Sequence, residues 1–173
     1  KRIIAYHEAR HAVVMHTLAE ADPVQKITIV ARGMAGGYTM ALPEDDRMLT
    51  SRKKITANIV GLLGGRAAEE IVFDDITSGA ANDIQRVTQM ARNMVTRLGM
   101  SEELGPMVYG QKEEMIFLGR EISEQRDYSE TVAQKIDKEV HLVIENAYEQ
   151  ARKILIDNRD YLEAIAQRLL EIE

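Results

Sequence analysis

The string Tyr6-His7-Glu8-Ala9-Arg10-His11 decides the reading of this chain. It lies in a stretch, residues 2–20, whose positions recur at helical spacing, with Ile4, His7, Ala12, Met15 and Leu18 on one broad face. Asp22-Pro23 ends that helix. Residues four apart on a helix lie about 40° apart around the axis and about one turn apart along it. His7 and His11 can therefore grip a single ion. Glu8 falls about 80° from the midpoint of the pair, on its flank. There it can take a proton from water at the ion without occupying the ligand direction. An H-E-x-x-H on a helix is the pattern of a zinc site with the glutamate as general base. Zinc suits two imidazoles and a carboxylate, with a fourth position left to water, whose pKa it brings to about 7.

A third ligand has to come from elsewhere. The extended H-E-x-x-H-x-x-G-x-x-H pattern is missing, since position 17 is Thr17 and no histidine follows His16 until His141. Two carboxylate sources remain. Glu69-Glu70 follow Gly64-Gly65-Arg66 on a second helix, and Asp83 stands just inside a third, at the margin of its apolar stripe. Periodicity alone ranks neither above the other.

Composition narrows the alternatives. With 22 Lys+Arg against 28 Asp+Glu the net charge is −6 and the pI about 5.3, which argues against nucleic acid as the main partner. The absence of cysteine excludes disulfides, Cys-ligated zinc, thiol catalysis and haem attachment. Aromatic residues make up 5%, Trp is absent and Met is 9; this leans helical and fits a β-sandwich or barrel poorly. A chain of 173 residues buries roughly 70% of its unfolded surface and needs no covalent staple. It carries no signal peptide and no apolar run near the roughly 18 residues needed to span a membrane. It opens on Lys1-Arg2 rather than Met, and so reads as a piece of a longer protein whose anchor or upstream domain would lie outside it.

The remaining elements follow by pattern. Ile27-Thr28-Ile29-Val30, then Gly33, Gly36 and Gly37, then Tyr38–Ala41 signal a β-hairpin. Residues 51–72 form a helix with Ile55, Ile59, Leu62, Leu63, Ala67 and Ile71 on one side. Gly64-Gly65 interrupts it, and the pair is read as close packing against another element. Thr77-Ser78-Gly79 precedes a helix near 80–98 with a stripe of Ile84, Val87, Ala91, Met94, Val95 and Leu98. Residues 100–125 read as irregular and mobile. A long helix over 127–156 and a last one marked by Tyr161, Ile165 and Leu169 form an antiparallel pair joined by a tight turn. The expectation is a mainly α domain over 1–173, with a core at 1–99, a loop at 100–125 and C-terminal helices at 126–173.

Four blocks carry a resemblance. They are His7-Glu8-Ala9 with His11-Ala12-Val13; Gly36-Gly37-Tyr38-Thr39 with Leu42-Pro43; Gly64-Gly65-Arg66-Ala67-Ala68-Glu69-Glu70; and Thr77-Ser78-Gly79-Ala80-Ala81-Asn82-Asp83. Together, over essentially the whole chain, they resemble the peptidase domain of the FtsH family of membrane-anchored AAA+ zinc metalloproteases. The resemblance implies a mainly helical zinc metallopeptidase domain with a small hairpin near the metal. It implies Zn2+ held by His7, His11 and Asp83, with Glu8 as general base and Glu69 and Glu70 in supporting roles. It further implies an AAA+ ATPase module in the same parent chain, a homohexamer, unfolded or membrane proteins as substrates, and a domain on the cytoplasmic (or matrix or stromal) side of the membrane. The Walker A motif of that module is absent here, so no ATP binding is expected of this segment.

A hairpin beside such a site offers its backbone to any extended peptide, which makes Ile29, Val30, Tyr38 and Thr39 the substrate-binding candidates by strand addition. One residue departs from the family pattern, which has Gly where this chain has Arg10. The angular count puts Arg10 about 80° from the ligand midpoint, opposite Glu8. A permanent cation there is expected to seek a carboxylate, Asp83 among them, or water, and to impair the site; the opposing reading is that it extends to solvent and leaves the metal undisturbed. The alternative reading of function is accordingly a zinc-poor, inactive module for substrate binding or hexamerisation.

Overall fold

A computed structural model describes residues 1–30, 38–41, 49–112 and 124–172. Among these residues five α-helices carry the architecture: α1 (Arg2–Thr17), α2 (Arg52–Phe73), α3 (Ala81–Thr96), α4 (Glu130–Asp157) and α5 (Arg159–Ile172). A two-stranded antiparallel sheet of β1 (Val24–Thr28) and β2 (Tyr38–Ala41) sits between α1 and α2 in sequence, with Thr28 opposite Tyr38 and Ile27 opposite Thr39. A second pair, β3 (Gln111–Lys112) and β4 (Glu124–Gln125), lies between α3 and α4. The mainly α expectation holds. The first strand runs three residues earlier than the β-branched run suggested, so Ile29 and Val30 lie just beyond it. The hairpin's glycine turn and the Leu42-Pro43 segment fall outside the described residues, as does 113–123 of the expected loop.

α1 is the centre of the molecule. It packs against α2, α5, β1, β2 and α4, and for that reason it is buried nearly all round, with Ala5, Tyr6, Ala9, Val13 and Val14 deepest. The face read as its apolar stripe is different: Ile4, His7 and Met15 line an open cleft instead. α2 runs unbroken through Gly61, Gly64 and Gly65. These glycines let α1 approach: a Cβ on Gly64 would stand 3.1 Å from Val14 Cγ2, and one on Gly61 3.5 Å from Met15 Cγ. The close-packing reading of the glycine pair therefore holds. Each Gly costs roughly 1 kcal/mol of helix propensity against Ala, offset here by interhelical contact.

Caps fix where the helices start. Ser51 accepts the Lys54 amide at 3.1 Å and Ser129 the Val132 amide at 3.3 Å. Asp74, with φ of 51°, closes α2 in the left-handed conformation. α4 buries Ile136, Val140, Ala147, Ala151 and Ile154 as its periodicity requires, chiefly against α2. Only Asn158 separates it from α5, which docks chiefly on α1. There the buried set is Leu162, Ala166 and Leu169; Tyr161 is 69% exposed, because the stripe begins one residue later. Ile84 and Leu98, the ends of the α3 stripe, are also exposed.

Candidate active site

The cleft beside α1 has a volume of about 1080 Å³ and is lined by His7, Glu8 and His11 from α1, Thr39 from β2, Gly61 and Leu62 from α2, and Asp83 from α3. α1 presents the histidines one turn apart, with ring centroids 5.2 Å apart. Asp83 reaches them from the first turn of α3, where a carboxylate also suits the helix dipole. Its Oδ2 lies 3.9 Å from His7 Nε2 and 3.6 Å from His11 Nε2. One ligand atom from each of the three residues falls within 4.8 Å of the others. Zinc bonds of 2.0–2.2 Å in a tetrahedral array set ligand atoms about 3.4 Å apart. The Asp83 oxygen is within about half an ångström of that spacing from each ring nitrogen, and the donor set of two neutral imidazoles and a carboxylate fits a zinc ion.

Backbone contacts set the histidine chemistry. His11 Nδ1 is 3.0 Å from the Gly61 carbonyl oxygen. A carbonyl only accepts, so Nδ1 carries the proton and Nε2 presents its lone pair toward Asp83. Burial lowers His7 to a pKa of about 3, with the Arg10 charge adding to the effect. His11 is driven well below its ordinary value, again first by burial and then by Arg10. Both imidazoles are thus neutral at physiological pH, the form that ligates metal. Asp83 and Glu8 are both raised by burial, opposed in each case by the Arg10 charge.

The two other acids separate. Glu69 is 2% exposed and accepts hydrogen bonds from the Thr77 amide at 3.0 Å and its hydroxyl at 3.1 Å. Its Oε1 faces His7 Nδ1 at 3.8 Å, from behind the ring rather than from the ligand side. Glu70 turns away and accepts from Tyr148 Oη, whose pKa is pushed up to about 12 by burial first and by this bond next.

Of the strand candidates, Thr39 stands in the cleft and its hydroxyl contacts Glu8: Oγ1 is 2.8 Å from Oε2 and 3.1 Å from the Glu8 carbonyl oxygen. Ile29 is buried in the core, while Val30 is exposed and its amide donates to Thr28 Oγ1 at 3.2 Å. The Tyr38 backbone pairs with Thr28; its side chain lies outside the described residues. Sequence reading missed the hydroxyl on Glu8, the Gly61 carbonyl behind His11 and the Thr77 clamp on Glu69. None of these has a spacing signature.

Arg10 is kept from solvent and pairs with no carboxylate among the described residues. It is fully buried, donates from Nη1 to the Gly65 carbonyl, and sets Nη2 3.5 Å from His11 Nε2. Among the described residues no acid lies within ion-pair distance of it, and its Nε has no partner. Burial lowers its pKa to about 9, against the raising effect of Glu69, Asp83 and Glu8. The expectation that it captures Asp83 is therefore not met. α1 is enclosed on the Arg10 side by α2, and Gly65 is where the guanidinium finds room.

A mainly helical domain with an H-E-x-x-H helix facing an aspartate from a second helix is the class of protein that fold and site define. The chain belongs to peptidase family M41, whose profile matches residues 1–173. It is 54% identical over 173 residues to the ATP-dependent zinc metalloprotease FtsH 1 of Thermomicrobium roseum. It is 55% identical over 174 residues to the ATP-dependent zinc metalloprotease FtsH of Thermotoga maritima, and 50% over 174 residues to that of Bacillus subtilis. Each alignment covers all of this chain but only 26%, 28% and 27% of the respective relative. The chain thus spans about a quarter of the length of these relatives. Among the described residues no helix is long and apolar enough to cross a membrane.

Proposed function

We propose that this domain is the zinc endopeptidase unit of an ATP-dependent protease. The observation that carries the reading is the convergence of His7 Nε2, His11 Nε2 and Asp83 Oδ2, with Glu8 on the flank. His7, His11 and Asp83 would hold the ion. A bound zinc supplies Lewis acidity toward a peptide carbonyl and acidifies water. Glu8 accepts the proton of the attacking water and returns it to the leaving amine. Burial raises its pKa, and the Thr39 hydroxyl holds the carboxylate in place. Glu69, clamped by Thr77, supports His7 from behind.

Substrate is an extended, unfolded polypeptide lying along β2. Among the described residues β1 and β2 have only each other as sheet neighbours, so strand addition beside Thr39 gives backbone recognition without sequence demand. The relatives' names and the family resemblance support an AAA+ module in the parent chain that feeds this cleft, a homohexameric ring, and membrane anchoring with the peptidase on the cytoplasmic (or matrix or stromal) side. The acidic balance of the chain gives no support for nucleic acid as a partner.

Casein degradation by the zinc-loaded protein tests the reading. Glu8→Gln is expected to retain the metal and to lose at least about 100-fold in turnover, the scale of a general-base contribution. Unchanged turnover would contradict the assignment.

A further inference from the structure

We propose that Arg10 competes with zinc for His11 and so weakens the metal's hold on the site; this rests on the zinc reading above. The argument starts from the proton on His11. With Nδ1–H committed to the Gly61 carbonyl at 3.0 Å, Nε2 is the ring's single remaining acceptor. Arg10 Nη2 lies 3.5 Å from that atom. A guanidinium nitrogen only donates, so at this long distance the cation faces the same lone pair that a metal would need.

The guanidinium is held there by its surroundings. Nη1 donates to the Gly65 carbonyl, the side chain is fully buried, and no carboxylate among the described residues lies close enough to draw it off. Gly65 makes the seat: a Cβ at that position would collide with Nη2 and stand 2.9 Å from Cζ. The unpartnered Nε shows that the side chain is not placed to satisfy all its own donors. Zinc bound between His11 and Asp83 also meets a permanent positive charge in a buried site, where charge repulsion is poorly screened. Both effects act in one direction. Arg10 makes the metal reversible at a site whose ligand set, from α1 and α3, is otherwise complete.

Zinc affinity, measured by chelator competition on the 173-residue chain, tests this without any activity readout. Three proteins are compared: wild type, Arg10→Met, which keeps an unbranched stem in the buried channel but removes charge and donors, and Arg10→Gly. Circular dichroism melts verify folding, and Arg10→Met decides the matter where Arg10→Gly is poorly folded. The expected result is at least tenfold tighter zinc binding by Arg10→Met than by wild type. Equal or weaker binding overturns the proposal. Zinc binding by none of the three overturns the metal reading together with it. A readout on the wild type alone is the 15N resonance of His11 Nε2. It should shift with zinc together with the Arg10 guanidinium signals, and an Arg10 signal unmoved by saturating zinc also contradicts competition.

Discussion

Thr39 Oγ1 stands 2.8 Å from Glu8 Oε2 and 3.1 Å from the Glu8 carbonyl oxygen, so one hydroxyl from β2 spans both ends of a residue on α1. The hairpin thereby fixes the position of the proposed base. A hydrogen bond to a charged group is worth about 1.5–3 kcal/mol.

Thr39→Val removes that bond at nearly constant volume. Its donation favours the Glu8 carboxylate and lowers the Glu8 pKa, against burial, which raises it. Loss of the bond should therefore raise the Glu8 pKa further. The acid limb of the kcat/KM–pH profile should move to higher pH, with a loss of about tenfold in kcat/KM at neutral pH. Thr39→Ser should restore both. An unmoved acid limb in the Val variant would show that the hydroxyl does not act on the base.

Gly65→Ala should destabilise the fold by about 1–3 kcal/mol, the usual scale of overpacking, because the new methyl would enter the Arg10 guanidinium. The two sites should couple. Combined with Arg10→Gly, the same substitution should cost much less, since the obstructing group is gone. A double-mutant cycle read by urea denaturation measures this; additive effects would mean that Arg10 does not occupy the seat beside Gly65.

The histidines predict acid sensitivity of the protein in chelator. Burial holds His7 at about 3 and His11 also well below its ordinary value, whereas imidazoles in the unfolded chain take protons near pH 6.5. The unfolded state thus binds more protons as pH falls from about 6.5, and stability falls with it. Glu8 and Asp83, raised by burial, work the other way, but only as pH nears the carboxylate range. The Tm should be level above pH 7 and decline between pH 6.5 and 5. A Tm that rises over that interval would contradict the neutral, buried assignment of the two rings.

The helix-borne part of the site was legible because helical spacing is rigid: residues 7, 8 and 11 can adopt only one mutual arrangement on α1. Asp83 was not singled out by periodicity, which left it level with Glu69-Glu70; the family resemblance favoured it. In the structure Asp83 stands on the ligand side of the rings, while Glu69 sits behind His7 and Glu70 turns to Tyr148. The stripe of α1 was misread for a physical reason. A helix enclosed by three helices and two strands has little contrast between faces, so Ile4 and Met15 reach the cleft while Arg10 goes inward. A clue to Arg10 lay in Gly64-Gly65, which marked where another element comes close without naming the side chain that fills the gap. Tyr161 shows the smaller failure typical of short helices: a start one residue out rotates the predicted face by about 100°.

Anomalous diffraction at the zinc edge, from crystals of the zinc-loaded protein, addresses the proposed metal centre most directly. The account predicts one peak per chain within about 2.0–2.2 Å of His7 Nε2, His11 Nε2 and an Asp83 carboxylate oxygen. A peak bound by Glu69 or Glu70 in place of Asp83, or no peak between the two histidines, would contradict it.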